Sequence, residues 1–265
     1  MALRGVEFSW GSNMFDSRYE VYLADTAESR LMHHRVRFQV FCVEHGFESV
    51  EANRNLQEVD DWDSRARHFV VQEKQSGAAV AGVRIVLPDA GDLPVEQLRC
   101  ISERTPVDVG REQLGEISRI GVVRKLDSSE KGAIFPNNRA TALQAVDRGD
   151  ESEVLLGLIR AIIRYSWDSD IGYLYMLVTR PFARLLKRLG VVCTQMGNEV
   201  DHRGLRAPYF IDVNASWRGL VARSGSVAEL FSRHHLAYFS HAQTQSLRVG
   251  AAQTVNTQSL AMAAA

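Results

Sequence analysis

The sequence is poor in most of the features that assign a protein to a class on sight. Its 265 residues include three cysteines, Cys42, Cys100 and Cys193, far apart and with no CxxC pair. That excludes a disulfide framework and a cysteine-rich zinc cluster, and it fits a reducing compartment. Neither sign of charge is in excess, since 31 basic and 32 acidic residues leave a net charge of -1. No overall field therefore draws in nucleic acid or an anionic membrane, and a charged partner must be met by a local patch. Nowhere do the roughly 18 consecutive apolar residues of a membrane span occur, and MALRGVEFSWGSNMF lacks the apolar core of a signal peptide. A soluble, cytoplasmic protein without an integral membrane segment is expected. Internal repeats are also missing, and residues 246 to 265, rich in Ala, Gln, Thr and Ser, read as a weakly ordered tail behind one domain over residues 1 to 245.

With 45% apolar residues, the chain can nonetheless bury a full core. Asp25 followed by Glu28 makes a capping-box-like start, after which Leu31, His34 or Arg35, Phe38, and Phe41 or Cys42 recur at helical spacing as far as Gly46. RHFVVQE and AVAGVRIVLP, joined through Gly77, read as a hairpin, and GEISRIGVV (115 to 123) as a third strand. Residues 152 to 167 carry a broad apolar helical face, and GYLYMLVT reads as a buried strand. A helix opens at Pro181 and stops at Gly190, and VVCTQM and APYFIDV supply two closing strands. This order implies a mixed α/β layer fold around one sheet. The long irregular stretch from 124 to 150 is read as a functional loop or lid.

Polar residues gather in three places. RFQVFCVEHGFE (37 to 48) sets Arg37, Phe41 and Phe47 around a helix end that Gly46 would cap. EVDDWDSRARHF (58 to 69) places Glu58, Asp60, Asp61 and Asp63 just before a strand, either as a solvated acidic loop or as partners for buried cations; EF-hand spacing is lacking. Arg84 and the Glu116, Ser118, Arg119 group lie inside strands, where a charge needs a partner or a function. Strand parity puts Glu116 and Ser118 on one face and Arg119 on the other. His33, His34, His45 and His68 recur at no metal-ligand spacing, so no metal is expected and surface or hydrogen-bonded histidines are.

Taken in order, R-x-x-x-F…G-F, E-x-D-x-x-D, G-x-R-[IV]-V-L-P and E-I-S-R resemble the acyl-homoserine lactone synthases and the long-chain N-acyl amino acid synthases, and most of all the PEP-CTERM/exosortase-associated acyltransferases of bacteria. The resemblance covers residues 30 to 125, and residues 150 to 214 follow through element order. It implies the GNAT fold, a central mixed twisted sheet flanked by helices. It also makes Arg37, Phe41, Phe47, Asp60, Asp63 and Arg84 substrate-site residues, and Glu116, Ser118 and Arg119 catalytic ones. Phe47 stands where lactone synthases usually have Trp, a departure shared with the amino-acid branch.

The implied reaction is attack of a small-molecule amine on an acyl thioester, with Glu116 taking the proton through a water and a backbone N–H holding the oxyanion. Arg37, Arg84 or Arg119 would either fork onto the acceptor's carboxylate or lock the acidic loop. After the third strand RKLDSSEKGAIF replaces the Gly-rich pyrophosphate loop of acetyl-CoA enzymes. The implied donor is thus an acyl-phosphopantetheine thioester on acyl carrier protein, or CoA, with no tightly bound cofactor. Arg180, Arg184, Lys187 and Arg188, with Arg160 and Arg164 on the preceding helix, are the expected carrier-docking patch. Leu155, Ile159, Ile162, Tyr173, Tyr175 and Leu177 are the expected tunnel. The competing readings are a lactone synthase and a non-catalytic acyl-carrier or lipid-binding module.

Overall fold

The computed structural model describes residues 14–88, 91–103, 105, 108–124, 142–223 and 225–246. Most of the expected loop, 125 to 141, and nearly all of the expected tail, 247 to 265, lie outside the described residues. A short helix α1 (Met14–Arg18) leads through β1 (Tyr19–Leu23) to α2 (Ala27–Arg37). β2 (Ala66–Glu73) and β3 (Ala79–Val86) form the expected hairpin, with Gly77 at φ +72° between them. A short α3 (Pro94–Gln97) precedes β4 (Leu114–Val122). Then come α4 (Glu151–Asp168), β5 (Tyr173–Val178), α5 (Arg180–Leu189), β6 (Cys193–Gln195), β7 (Val200–Asp201) and β8 (Leu205–Asp212). Helices α6 (Val213–Val221) and α7 (Gly225–Ser232) and a short β9 (Phe239–Ser240) follow.

The strands make one mixed sheet in the order β6-β8-β5-β4-β3-β2-β1-β9, with β7 hung on β8. β1 to β4 run antiparallel to one another, β4 and β5 are parallel, and β8 returns antiparallel to β5. β3 is buried at every position, which is why AVAGVRIV shows no polar alternation and why Arg84 must find its partners inside. Helices α4, α5 and α6 cover one face through Leu158, Ile162, Ala183, Leu186 and Leu220. The other face is covered by α2, through Met32, Val36 and Val40, and by the segment around α3, through Leu93 and Val95.

Helix α2 starts one residue later than the Asp25/Glu28 pattern suggests. Thr26 is the N-cap; its hydroxyl accepts from the Ser29 N–H, and the Ser29 hydroxyl accepts from the Thr26 N–H. Asp25 is engaged instead by the Ser240 hydroxyl and the Ala242 N–H. At its other end α2 widens into a π-helical segment, Phe38–Glu44, an irregularity frequent at functional sites. The Phe41 carbonyl there accepts from the N–H groups of Phe47 (2.7 Å) and Glu48 (3.1 Å), and Gly46 takes the left-handed conformation at φ +63°.

Two departures from regular pairing create the space that matters. Arg84 pairs with Ser118 and Gly82 with Gly121, so Arg119 and Ile120 of β4 together oppose Val83. This is a β-bulge, with Arg119 at φ +52°. The extra residue inverts the facing of the rest of β4: Ile117, Ile120 and Val122 lie toward α4, while Gly121 abuts Val40 and Val123 packs with α2. The parity argument for Arg119 therefore fails, and its side chain lies on the same side as Glu116 and Ser118. The second departure is that β4 and β5 pair only from Leu114–Tyr173 to Ile117–Met176 and then separate, opening a wedge. No helix among the described residues is long and apolar enough to cross a membrane.

Candidate active site

The acidic loop is folded around three arginines. Asp60 caps a short 3-10 turn, Asp61–Arg65, accepting from the Trp62 N–H while the Asp63 carboxylate accepts from the Asp60 N–H at 2.9 Å. Arg37, fully buried at the end of α2, donates to Glu58 from Nε and to Asp63 from Nη1 at 2.6 Å. Arg84, equally buried, donates from Nε to Ser118 Oγ at 3.0 Å and from Nη1 to both Asp60 and Asp63. Arg119 forks onto Glu58, with Nη2 2.9 Å from Oε1, and its Nη2 lies 3.1 Å from Asp60 Oδ2. Three cations and three anions interlock. Burial opposes ionisation of Glu58, but Arg119 and Arg37 outweigh it and hold the carboxyl down at about 2. For Asp63 burial is likewise overcome, by Arg37 and Arg84, and its carboxyl lies far below the ordinary range. Of the two arginine roles left open by the sequence, the geometry is that of a lock on the acidic loop.

Glu116 stands apart from this network. It is 3% exposed, and its Oε2 accepts from the Val95 N–H in the first turn of α3 at 2.8 Å. Burial pushes its carboxyl up to about 8, against the opposing pull of that N–H and of Arg84. Glu116 lines a cavity of about 370 Å³ in the mouth of the wedge, together with Ser118, Arg119, Asp60, Trp62, Leu177 and Arg206. A second cavity of about 330 Å³ adjoins it and is walled by Phe47, Leu155, Phe182 and Leu185. Phe41, Ile120, Val178 and Arg206 line both, so the two meet where β4 and β5 part. The two phenyl rings carry cations: Arg119 lies 5.5 Å from the centroid of Phe41, and Arg206 lies 5.2 Å from that of Phe47. A smaller, wholly apolar void beyond Ile117, Ile120 and Met176 reaches under α4 toward Ile159 and Ile162.

The nine residues expected at the substrate and catalytic site are thus all brought to this region: Arg37 and Asp63 lie just behind it, and the other seven line one or both cavities. The expected tunnel divides. Tyr173, Tyr175 and Leu177 lie on the α3 side of the sheet, Tyr173 and Tyr175 against Phe210, and Leu155, Ile159 and Ile162 on the α4 side, because alternate residues of β5 face opposite ways. The expected docking patch loses Arg160. That side chain is 2% exposed, forks onto Asp16 of α1, and donates to the carbonyls of Leu230 and Leu236 at 3.0 Å each. It faces the packing of α4 against α1 and the segment from α7 to Leu236, and ties them together. Arg164 is half-buried and paired with Asp168, and Arg180 is exposed and paired with Glu199. Arg184, Lys187 and Arg188 are exposed on α5.

Two groups were missed in the sequence. His202, Arg203 and Arg206 reach the first cavity from the β7–β8 turn, where Arg203 and Gly204 have positive φ and Arg203 pairs with Glu48. Their signal is HRGLR, three basic residues around a glycine directly before a strand. His33 and His34 of α2 and His68 of β2 come together behind the ion network, each with a ring nitrogen within 4.8 Å of the others, a grouping that could hold a metal ion. His33 is not a surface or hydrogen-bonded histidine: it is completely buried against Gly82 with neither ring nitrogen bonded among the described residues. Burial lowers the basicity of all three rings, that of His68 to about 4.

A parallel pair of central strands that splay after four residues, with a cavity in the wedge and helices on both faces, is the arrangement by which GNAT enzymes are recognised. The acetyltransferase (GNAT) domain family matches residues 36–130, the stretch that contains the whole ion network and Glu116. The chain has the GNAT fold. Among solved structures, the acyl-homoserine lactone synthase LasI aligns with a TM-score of 0.53 and 21% identity over 79% of this chain and 98% of its own. BjaI, a CoA-dependent acyl-homoserine lactone synthase solved with MTA, aligns with a TM-score of 0.55 and 14% identity over 84% of this chain and 93% of its own. MesI, also a CoA-dependent synthase, aligns at 0.51 with 19% identity, over 78% of this chain and 97% of its own. A search with the sequence matches no curated protein.

Proposed function

We propose that the chain is an N-acyltransferase that moves a medium or long acyl chain from a phosphopantetheine thioester to the amine of an amino acid or similar small molecule. The observation that carries this reading is Glu116: a buried carboxyl held near 8, on the wall of a polar cavity that opens through the β4–β5 wedge onto apolar space. In the reaction Glu116, as carboxylate, takes the ammonium proton directly or through a water, and the amine attacks the thioester carbon. β4 beyond Ile117, no longer paired with β5, offers backbone N–H groups to the oxyanion. Collapse then expels the thiolate, and the second proton of the attacking nitrogen passes to it, leaving the neutral amide, the free thiol and protonated Glu116.

The donor's apolar chain would pass between Ile120 and Val178 toward Phe182 and Leu155, where each methylene removed from water contributes about 0.8 kcal/mol. Acyl carrier protein is the proposed donor form, docking on Arg184, Lys187 and Arg188 of α5, with acyl-CoA as the other. The association with exosortase systems rests on the sequence motifs alone.

A lactone synthase is the second reading, favoured by the shape shared with LasI and BjaI. Phe47, in place of the Trp usual in that branch, argues for the amino-acid branch. Mass spectrometry of lipid extracts from a bacterium expressing the chain decides between them: N-acyl amino acids are expected, and acyl lactones without an open-chain amide would overturn the first reading. Binding of acyl carrier protein with no turnover of any acyl donor would instead make the chain a non-catalytic module.

A further inference from the structure

An amino-acid acceptor needs a cation for its carboxylate, and the expected candidates are already engaged. Arg84 is held by Asp60 and Asp63, and Arg119 by Glu58 and Asp60. Arg37 is held by Glu58 and Asp63, and Arg203 is paired with Glu48. Arg206 is different. No carboxylate pairs with it among the described residues; one Nη donates to the Arg203 carbonyl at 3.3 Å, and its buried Nε has no acceptor. Its guanidinium lies over the Phe47 ring, 5.2 Å from the ring centre, a cation–π contact that restrains the fork, and it lines both cavities. Arg203 and Arg119 lie close enough to add to its positive field, and with burial they lower its proton affinity. An oriented guanidinium with an unfilled buried N–H is a built receptor for a planar anion.

We infer that Arg206 binds the carboxylate of the acceptor, so that the substrate class is an α-amino acid held between Arg206 and Glu116 on the walls of one cavity. This rests on the N-acyltransfer reading and deepens it. The same fork chemistry would suit the phosphate of the donor's phosphopantetheine arm, and the test separates the two sources.

Binding of N-lauroylglycine and N-lauroylglycinamide to the purified full chain is measured by titration calorimetry, at low and high salt. The acid is expected to bind roughly 10- to 100-fold more tightly than the amide, and Arg206→Gln to remove that preference by weakening the acid alone. Arg206→Lys should restore part of it. Equal binding of acid and amide by the unmodified chain overturns the inference, whatever the variants do, so it can be refuted even if the Gln variant fails to fold. In turnover with lauroyl-carrier protein and glycine, Arg206→Gln should raise KM for glycine and leave KM for the donor unchanged. A rise confined to the donor would assign Arg206 to the phosphate and refute the proposal. If no turnover occurs but the acid preference survives and depends on Arg206, the carboxylate site stands and the catalytic reading falls. Turnover without an acid preference would leave the catalytic reading standing and remove the carboxylate site.

Discussion

Replacing Glu116 with Gln tests the centre of the mechanism twice, once through stability and once through rate. The amide keeps the acceptor that the Val95 N–H uses, now 2.8 Å from Oε2, and changes little but the charge. In the native chain burial holds the carboxyl at about 8, against 4.5 for an ordinary glutamate. Below about pH 4.5 the group is protonated in both the folded and the unfolded chain. Between 4.5 and about 8 the unfolded chain has released the proton that the folded chain keeps, so stability falls as pH rises, and the loss is complete above about 8. At about 1.4 kcal/mol per pH unit, this interval is worth of the order of 5 kcal/mol. Glu116→Gln has no such proton. Urea unfolding from pH 5 to 9 should therefore show the variant gaining on the parent chain by several kcal/mol as pH rises. In turnover, monitored by thiol release from lauroyl-carrier protein, the variant should lose about 10²- to 10⁴-fold in kcat. Burial keeps Glu116 mostly protonated at neutral pH, so the parent's kcat/KM should climb toward pH 8. A stability difference that does not change with pH, or an unchanged kcat, would refute the assignment of Glu116 as a buried base.

Arg37→Met leaves Glu58 and Asp63 buried without a main partner and should cost about 3 to 5 kcal/mol, read as a lowered urea midpoint. Glu58 is held at about 2, so the network's contribution is present above the ordinary carboxylate range and is lost as pH falls toward 2; acid unfolding of Glu58→Gln should show a shallower loss. Gly121→Val would drive a Cβ to 2.9 Å from Val40 and should destabilise by about 1 to 3 kcal/mol, with the site's geometry disturbed through the π-helical segment. Arg184→Glu with Lys187→Glu on exposed α5 should raise KM for the acyl carrier mainly through a slower on-rate, with the effect fading at high salt; an unchanged KM would remove the patch.

The order of the main elements from α2 to β8 was legible because each carries its own period: AVAGVRIV buried throughout, and 152 to 167 apolar on one broad face. The ion network was legible because charges inside strands demand partners, and the acidic run before β2 supplied them. What stayed hidden depends on departures from regularity. The parity rule assumes an unbroken ladder, and the bulge at Arg119 breaks it, turning a residue read as facing away into one that grips Glu58. Arg160 looked like one of several basic residues along two helices, and only the packing of α1 and the segment after α7 against α4 shows that it is enclosed. His33, His34 and His68 meet through a helix-to-sheet contact that no local spacing announces.

The bulge also explains why the chain can keep two kinds of carboxylate side by side. A non-glycine residue at φ +52° costs roughly 1 kcal/mol or more, and Arg119 is held there by contacts to Glu58 and Asp60. With Arg119 turned to the α2 side, three arginines balance Glu58, Asp60 and Asp63, and the carboxyls of Glu58 and Asp63 are held below their ordinary range. Had Arg119 obeyed strand parity, the network would lack one cation and the nearest relief would be Arg84, which is the positive group acting on Glu116. Arg84 is committed to Asp60 and Asp63, and only its remaining field and one backbone N–H oppose the full burial of Glu116. Neighbouring groups whose environments drive their proton affinities apart mark the division between structural and chemical acids. Here that division is sharpened by one extra residue in β4, and removing the bulge by deletion, which takes the Arg119 cation away and draws Arg84 further toward the acids, should raise the affinity of Glu116 for its proton as well as loosen the acidic loop.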